Sequence, residues 1–376
     1  MSRTKKRGPR CPWLNSNPVK TNKLKVVIVG LGHLHPRSYM AHFQAVSGIE
    51  VMAVAEADAV LREAFCRDFG VHGYRSLDEL LAGETPDIAA IFLPHVDCPE
   101  AAEKCAAKGI HLMVEKPMAA SVAGAQRILD AARAAGVKLS TGYVWRLHPV
   151  AREFKRIIDG GLIGCVVGGE GRCAAGRLTR YIEGHSPWIL QSKLSGGGPM
   201  YNLGVHWIDL FRWILGEEVA EVSGRNVKVN TDYDIEDNSF AHLRFSGGAI
   251  VALDISYTVP DAFPHGRDLY LSVRGTQGVI SWAPAYEGQK DTLFICSDHS
   301  SFAGSPKVLR EYELQPTPGY SGFMGLEYVR AFVDAVRSDR EPPITGEDGC
   351  AALRVVEAVY RADTEKRWVE VEGKKL

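Results

Sequence analysis

The chain lacks the long apolar runs, the paired cysteines and the charge imbalance that mark several classes of protein. No apolar stretch reaches the roughly 18 residues that a membrane span needs, so no membrane segment is expected. The eight cysteines form no Cys-x-x-Cys pair, which argues against a zinc knuckle and predicts reduced thiols in a cytoplasmic protein. Lys and Arg total 44 against 45 Asp and Glu, a balance that predicts no nucleic-acid partner.

The first 25 residues differ in composition from the rest of the chain. They contain eight Lys and Arg residues, no acidic residue, and three prolines at Pro9, Pro12 and Pro18. Because proline removes a backbone donor and fixes φ, no helix or strand is expected there. The sequence therefore predicts a disordered basic tail over residues 1–23, followed by domains over residues 24–146 and 147–376.

Apolar runs alternate with amphipathic stretches between residues 24 and 146. Leu24–Val29 and Glu50–Ala55 are rich in β-branched residues and predict buried strands. Ser121 is expected to cap a helix that ends at Gly136. Strands that alternate with helices in this way predict an α/β domain with a doubly wound parallel sheet.

The pattern changes after residue 146 to paired strands and longer helices. Ser239–Phe245 and Ala249–Tyr257 flank a Ser-Gly-Gly turn and predict an antiparallel hairpin. Thr345 and Asp348 have the spacing of a capping box, which predicts the start of the last helix. Residues 147–376 are therefore predicted to form an α+β domain.

A glycine pair, Gly30 and Gly32, follows the first strand directly. Gly30 permits the tight turn, and Gly32 lets phosphate groups approach the backbone. His35 stands at the third position of the Gly-x-Gly-x-x-Gly pattern, which weakens the motif without removing the phosphate site. The strand, turn and helix together predict a bound dinucleotide whose pyrophosphate lies at the helix N-terminus.

Glu56 ends the second strand, about 20 residues beyond the glycines, where a carboxylate binds the adenosine ribose hydroxyls of a dinucleotide. Asp58 is a second candidate for the same role. A carboxylate repels a 2′-phosphate, so the sequence favours NAD over NADP.

Lys116 follows Glu115 at the end of the fourth strand, at the sheet edge where ligands bind in open α/β folds. Partial desolvation would lower the pKa of this lysine and let it orient or protonate a substrate oxygen. His33 and His35 have the spacing of a ligand pair, but no third ligand follows at a suitable spacing, so no metal site is predicted.

Asn202, His206 and Asp209 would share one face if residues 201–215 formed a regular α-helix. His206 is a natural acid or base near neutral pH because the ordinary pKa of imidazole is about 6.5. Glycines at 196–198 allow close approach of a ligand, so this face is predicted to be functional rather than structural.

Together these residues resemble the Gfo/Idh/MocA family, the relatives of glucose–fructose oxidoreductase and inositol dehydrogenase. The resemblance runs from Leu24 onward and includes Glu-Lys-Pro at 115–117, the segment at 196–209, and Pro-Ile-Thr-Gly-Glu-Asp-Gly at 343–349. It implies a Rossmann domain, a second domain with a large open and mostly antiparallel sheet, and bound NAD(P). It also implies hydride transfer at a sugar or polyol carbon, and homodimers or homotetramers formed through the second sheet.

The resemblance implies catalytic roles for Lys116 and His206, whereas the catalytic aspartate of the family is replaced here by Asn202, which cannot hold a charge or relay a proton. The predicted cofactor-binding residues are Gly30, Gly32, His33, Leu34, Glu56, Leu93, Pro94, Glu115 and Lys116. The predicted substrate-binding residues are Lys116, Arg146, Trp188, Asn202, His206 and Asp209.

The leading functional hypothesis is an NAD-dependent dehydrogenase acting on a secondary hydroxyl of a sugar, glycoside or cyclitol. In this scheme His206 accepts the hydroxyl proton, and Lys116 stabilises the negative charge that develops on oxygen. Two alternatives remain open. The first is a transient redox step with tightly held NAD that permits cleavage of a glycoside, and the second is a non-catalytic protein that senses a sugar or nucleotide.

Overall fold

The computed structural model describes residues 23–260, 262–285 and 289–373. The predicted basic tail over residues 1–23 falls outside this range apart from Lys23. Across the part of the chain that is described, no helix is long and apolar enough to cross a membrane.

The first half of the chain folds into a six-stranded parallel sheet. Its strands are β1 (Leu24–Val29), β2 (Ile49–Ala55), β3 (His72–Tyr74), β4 (Ile88–Ile91), β5 (His111–Val114) and β6 (Leu139–Thr141). The helices between them are α1 (Pro36–Ala45), α2 (Ala59–Phe69), α3 (Leu77–Gly83), α4 (Cys98–Ala106) and α5 (Val122–Ala135). The strand order β3-β2-β1-β4-β5-β6 confirms the predicted doubly wound sheet.

Both faces of this sheet are covered. Val26, Val27 and Ile28 are all fully buried, although successive side chains of a strand point to opposite faces. The predicted ends of α5 are also confirmed, since Ser121 Oγ accepts a hydrogen bond from the Gly124 amide at 3.1 Å and Gly136 adopts φ of 66°. This left-handed conformation favours glycine because it has no Cβ.

The second half of the chain forms a nine-stranded sheet and six helices. The strands are β7 (Val166–Ala175), β8 (Val219–Val227), β9 (Asn238–Phe245), β10 (Ile250–Ser256), β11 (Arg267–Gly275), β12 (Gly278–Trp282), β13 (Lys290–Ser297), β14 (Lys307–Glu313) and β15 (Val369–Glu370). The helices are α6 (Pro149–Asp159), α7 (Thr179–Glu183), α8 (Ser192–Ser195), α9 (Val205–Leu215), α10 (Gly322–Arg337) and α11 (Gly346–Glu365).

The strand order in this sheet is β14-β13-β12-β11-β7-β10-β9-β8-β15, and all neighbours are antiparallel except β7 and β10. The predicted hairpin of β9 and β10 and the Thr345–Asp348 capping box are confirmed. The central strand β7 was not predicted because it is rich in glycine. Its Gly171 lies under α9, where a Cβ would overlap Trp207 and come within 2.8 Å of Phe211.

Arg146 and Asp209, both predicted to bind substrate, are paired with each other at the junction between the two sheets. Arg146 Nε donates to Asp209 Oδ2 at 2.7 Å, and Arg146 Nη2 donates to Asp348 Oδ1 at 2.8 Å. Arg146 is 7% exposed and Asp209 is 1% exposed. Because Arg146 follows β6, Asp209 lies on α9 and Asp348 on α11, this buried ion cluster fastens three elements together.

Replacing the buried guanidinium is therefore expected to weaken the fold. We predict that Arg146→Met lowers the free energy of unfolding by about 3 kcal/mol, because the buried Asp209 carboxylate would lose its hydrogen bonds to the guanidinium and keep only Arg212, 4.0 Å away, as a nearby cation. Urea denaturation of the purified protein measures this change.

Arg152→Met is the matched control, because Arg152 is exposed on α6. A surface substitution of this kind changes the free energy of unfolding by no more than about 0.5 kcal/mol. An Arg146→Met variant with the stability of the control, but with weakened sugar binding, would return Arg146 to the role of substrate contact.

Candidate active site

A cavity of about 140 Å³ lies where the end of β5 faces the nine-stranded sheet. The first half of the chain contributes His33, His35 and Lys116 to its wall, and the second half contributes Asn202 and His206. The structure thus brings together the three residues predicted to be catalytic, Lys116, Asn202 and His206.

Lys116 is buried in the wall of this cavity, with only 3% of its surface exposed. Its Nζ donates to the backbone oxygen of Asn202 at 2.9 Å and to Asn202 Oδ1 at 2.8 Å. Burial is the main reason that the pKa of Lys116 falls to about 8; the charge of Glu115 opposes this shift, and the charge of Arg180 adds to it. The ammonium is therefore held by uncharged acceptors and gives up its proton near neutral pH.

Asn202 connects Lys116 to two tyrosines. Its Nδ2 donates to the hydroxyl of Tyr181 at 2.8 Å and to that of Tyr257 at 2.9 Å. The side-chain amide thus accepts one hydrogen bond and donates two, whereas a carboxylate here could only accept from the tyrosines, because it has no N–H to donate. Tyr257 was missed by sequence reasoning because it lies at the end of a strand 55 residues away from Asn202.

The helix that bears these residues does not begin as a regular α-helix. Residues Met200–Gly204 form a π-helical turn, and the Val205 amide donates to the carbonyl of Met200 five residues earlier. Asn202 therefore precedes the regular helix, whereas His206 and Asp209 both lie within it. Asn202 and His206 line the cavity, and the Asp209 carboxylate is hydrogen-bonded to Arg146.

His206 is 6% exposed, and its Nδ1 has no hydrogen-bond partner among the residues that the structure describes. Burial, together with the charge of Lys116, holds the pKa of His206 well below its ordinary value. The imidazole is therefore neutral at physiological pH, and it can donate or accept one hydrogen bond within the cavity.

The glycine turn after β1 fits a dinucleotide. Gly30 has φ of 89°, and a Cβ there would lie 2.9 Å from Leu93 Cδ2 and from the carbonyl oxygen of Phe92. At Gly32 a Cβ would meet nothing closer than the His185 carbonyl oxygen at 3.7 Å. Helix α1 begins after His35 without a side-chain cap, which leaves its first amides available to phosphate oxygens.

Other predicted cofactor contacts surround this turn. Glu56 accepts hydrogen bonds from the amides of Leu31 at 2.6 Å and Asp58 at 2.8 Å, and each carboxylate oxygen keeps a further lone pair for a ribose hydroxyl. Glu115 is 5% exposed, and its Oε1 has no partner among the described residues. An unpartnered buried acceptor of this kind suits the hydroxyl of a bound ribose.

Trp188 covers the glycine turn instead of lining the cavity. Its Nε1 donates to the carbonyl oxygen of Gly32, and its ring lies 5.8 Å from that of His33. Leu93 packs against Gly30, and Pro94 follows it at the end of β4. Leu93 thus lies beside the turn. The contacts of Leu93 and Pro94 with a cofactor, and that of Trp188 with substrate, stay predictions.

His33 and His35 have a third potential ligand that their spacing does not reveal. The three side chains of His33, His35 and Glu115 bring one donor atom each within 4.8 Å of one another. Burial lowers the pKa values of both histidines, and the charge of Lys116 lowers them further; the same charge would oppose a metal ion. The structure thus supplies the third ligand that the spacing lacked, and the absence of a metal site stays a prediction.

Two family models match the chain. The model described as "Oxidoreductase family, NAD-binding Rossmann fold" matches residues 24–143, and that described as "Oxidoreductase family, C-terminal alpha/beta domain" matches residues 155–371. Among curated relatives, the chain is 24% identical to myo-inositol 2-dehydrogenase of Thermotoga maritima over 355 residues, 93% of this chain and 99% of that protein. It is 23% identical to D-apiose dehydrogenase of Paraburkholderia graminis over 369 residues, 96% of this chain and 93% of that protein.

Solved structures share the whole fold. Aldose-aldose oxidoreductase from Caulobacter crescentus, complexed with glycerol, superposes with a TM-score of 0.77 at 25% identity and covers 93% of this chain and 100% of its own. Because the two family models together account for both sheets, the chain belongs to the Gfo/Idh/MocA family of oxidoreductases.

Proposed function

We propose that the protein is an NAD-dependent dehydrogenase that oxidises a secondary hydroxyl of a sugar, glycoside or cyclitol to a ketone. The observation that carries this proposal is Lys116, a buried lysine with a pKa near 8, held by Asn202 in a cavity that His206 also lines. Relatives named as myo-inositol and D-apiose dehydrogenases support the class of substrate.

Oxidation of the hydroxyl removes a hydride from carbon and a proton from oxygen, leaving a carbonyl group. A bound nicotinamide dinucleotide supplies the hydride acceptor. We assign the proton to neutral Lys116 instead of His206, because burial makes the imidazole a weak base whereas the lysine has a pKa near the working pH. His206 then holds the substrate oxygen by a neutral hydrogen bond, and the Lys116 ammonium returns the proton in the reverse reduction.

Asn202 sets the basicity of Lys116. Its amide oxygen accepts from the lysine without the charge that would favour the ammonium form. Its Nδ2 donates to the oxygens of Tyr181 and Tyr257, and the Tyr257 hydroxyl donates to that of Tyr181. The Tyr181 hydroxyl, which lines the cavity, therefore keeps its hydrogen for a sugar oxygen. The amide is therefore compatible with catalysis in the absence of the aspartate of the family.

Glu56 supports the choice of NAD over NADP. Its carboxylate lies beside the glycine turn, where it binds the Leu31 amide and would repel a 2′-phosphate. Arg62 is close by, since its Nη1 donates to the backbone oxygen of Glu56 at 2.6 Å.

We also infer that a second copy of this chain covers the outer face of the nine-stranded sheet. Cross-strand register places Phe240 and Ile250 on this face in neighbouring strands and Leu309 on it near the far edge. These side chains are 45%, 43% and 67% exposed. The apolar side chains are thus spread across the width of the sheet, as an isologous interface between two copies requires.

The pH dependence of the reaction tests the role of Lys116. We predict that kcat/KM for NADH formation rises with pH through about 8, because the neutral lysine accepts the proton. In Asn202→Asp, a carboxylate beside Nζ favours the ammonium, so the rising limb is expected about 1–3 pH units higher. The same exchange at Asn226 on β8, outside the cavity, is the control.

If kcat/KM of the unaltered protein fell as the pH rose through about 8, the reaction would require Lys116 as a cation. His206 would then be the proton acceptor. Absence of NADH formation with every sugar and cyclitol tested, with the dinucleotide shown to be bound, would contradict the dehydrogenase proposal.

Cofactor choice is tested by Glu56→Ser. Loss of the carboxylate is expected to weaken NADH binding about tenfold. It also removes the charge that repels a 2′-phosphate, so the preference for NADH over NADPH should fall further. Fluorescence titration of both reduced dinucleotides gives the ratio of dissociation constants. Glu63→Ser, an exposed change on α2, is the control, and an unchanged ratio in Glu56→Ser would refute the role of Glu56.

Association through the sheet is tested by a double variant, Phe240→Glu with Leu309→Glu. We expect the unaltered protein to be an oligomer and the variant to be a monomer of 41.2 kDa, because buried carboxylates without partners oppose association. Light scattering after size exclusion measures the mass. Val60→Glu, which changes a residue 77% exposed on α2, should leave the mass unaltered, and a monomeric unaltered protein would contradict the interface.

A further inference from the structure

A second cavity, of about 240 Å³, adjoins the catalytic cavity. Trp145 and Ser321 line both cavities and therefore form part of the boundary between them. The catalytic cavity, at about 140 Å³, is smaller than the roughly 300–1,000 Å³ of an ordinary small-molecule site. The two cavities together fall within that range, so a ligand of ordinary size would occupy both.

Trp145 presents an aromatic ring to this boundary, and neighbouring rings fix its orientation. Its ring lies 5.2 Å from that of Trp207, 5.9 Å from that of Trp282 and 6.2 Å from that of His148. The residue is nevertheless only partly buried. An indole that is held in place and still accessible can bind a flat ring of a ligand without a large loss of side-chain entropy.

The ionisable groups in the wall of the second cavity are already engaged. His148 Nε2 lies 3.3 Å from Asp291 Oδ2, and His148 Nδ1 accepts a hydrogen bond from the Val150 amide at 3.2 Å. Asp291 Oδ1 accepts from Trp282 Nε1 at 2.7 Å. Arg267, which also lines this cavity, has a partner as well. The described wall therefore favours an uncharged occupant over an ion, because a buried ion needs a partner of opposite charge.

The other groups in this wall are apolar or neutral. Phe323 and Met324 contribute apolar surface, whereas Gln315 and Thr317 contribute an amide and a hydroxyl. A mainly apolar wall with a few polar groups is typical of sites that bind small uncharged molecules.

The boundary between the two cavities has an uncommon backbone conformation. Ser321 has φ of 55°, in the left-handed region that residues other than glycine rarely adopt. The residue before it is fixed on two sides, since the Tyr320 ring stacks on His35 at 3.7 Å and the Tyr320 carbonyl oxygen lies 2.8 Å from His42 Nε2. Strain of this kind persists where surrounding contacts enforce it, and it is concentrated at ligand sites. It falls here on a residue that a ligand in both cavities would contact.

We propose that the substrate is a glycoside with two rings, of which one is oxidised beside Lys116 and the other, uncharged, stacks on Trp145 in the second cavity. This inference rests on the proposed dehydrogenase function and adds the substrate class to it. The second ring can be a sugar or an aromatic aglycone, since both present a flat apolar face to the indole. A single sugar or cyclitol ring would occupy the catalytic cavity alone.

Matched substrates that differ only in the second ring test the proposal. Methyl β-glucoside is compared with cellobiose and with phenyl β-glucoside, and methyl β-galactoside with lactose, in assays of NADH formation. We expect kcat/KM to be at least about tenfold higher for the two-ring member of a productive pair, because the second ring buries apolar surface against Trp145. The disaccharide and phenyl arms identify which kind of second ring is preferred.

The residue-level test is Trp145→Leu. We expect kcat/KM for the two-ring substrate to fall about tenfold more than kcat/KM for its methyl counterpart, because the stacking surface is lost, and Trp145→Phe to recover part of the loss. Trp213→Leu is the matched control. Trp213 is also partly buried, but it lies on α9 against Lys155 and lines neither cavity, so the ratio should stay unchanged.

A second variant, Thr317→Trp, fills the second cavity and leaves Trp145 in place. Thr317 lies between β14 and α10 and lines the second cavity but not the catalytic one. We expect kcat/KM for the two-ring substrate to fall at least about tenfold relative to its methyl counterpart, because the added side chain excludes the second ring. This variant provides the test if Trp145→Leu fails to fold.

The outcomes separate the two proposals. Equal kcat/KM within each pair, oxidation of free sugars or cyclitols alone, or an equal loss for both members of a pair in the variants overturns the second-ring site and leaves the dehydrogenase function intact. If no compound is oxidised, calorimetry of the NADH-loaded protein with the same pairs decides the matter. Tighter binding of the two-ring member that Trp145→Leu or Thr317→Trp abolishes supports the site, and equal or absent binding overturns it.

Discussion

The burial of one ammonium group among uncharged acceptors is the constraint on which the rest of the site depends. Lys116 is almost fully enclosed and is bound through the carbonyl oxygen and side-chain amide of Asn202. Burial lowers the pKa of Lys116. Burial and the charge of Lys116 also lower the pKa values of His206 and His35, so both imidazoles remain neutral. The chemistry available to the cavity follows from this arrangement, since the lysine is the basic group that exchanges its proton near neutral pH.

Local patterns in the sequence were sufficient to predict the first sheet. Its strands are short apolar runs that end in turns, and the glycines after β1 have conformations that other residues adopt at a cost, as the φ of 89° at Gly30 shows. The hairpin of β9 and β10 was predicted for the same reason. In contrast, β3 has three residues and is only partly buried. Strand β7 contains glycines where a Cβ would collide with side chains of α9. Neither strand therefore shows an alternation of apolar and polar residues.

The candidate site was predicted less completely because it depends on contacts between distant residues. Lys116, Asn202 and His206 were found from motifs, but their partners Tyr181 and Tyr257 come from other elements. The helical wheel did not show that the Asp209 carboxylate is held by Arg146. This pairing spans 63 residues and leaves no local signature in the sequence.

The exchange of aspartate for Asn202 acts on the base through charge. An aspartate would stabilise the Lys116 ammonium and raise the pKa of the lysine, so that a smaller fraction of it would be neutral and able to accept a proton at physiological pH. The amide keeps the hydrogen bond to Lys116 but removes the charge, so the lysine can lose its proton near pH 8. On this view Asn202 is not a degraded catalytic residue, because its uncharged amide holds Lys116 in place and leaves the lysine able to accept a proton near neutral pH.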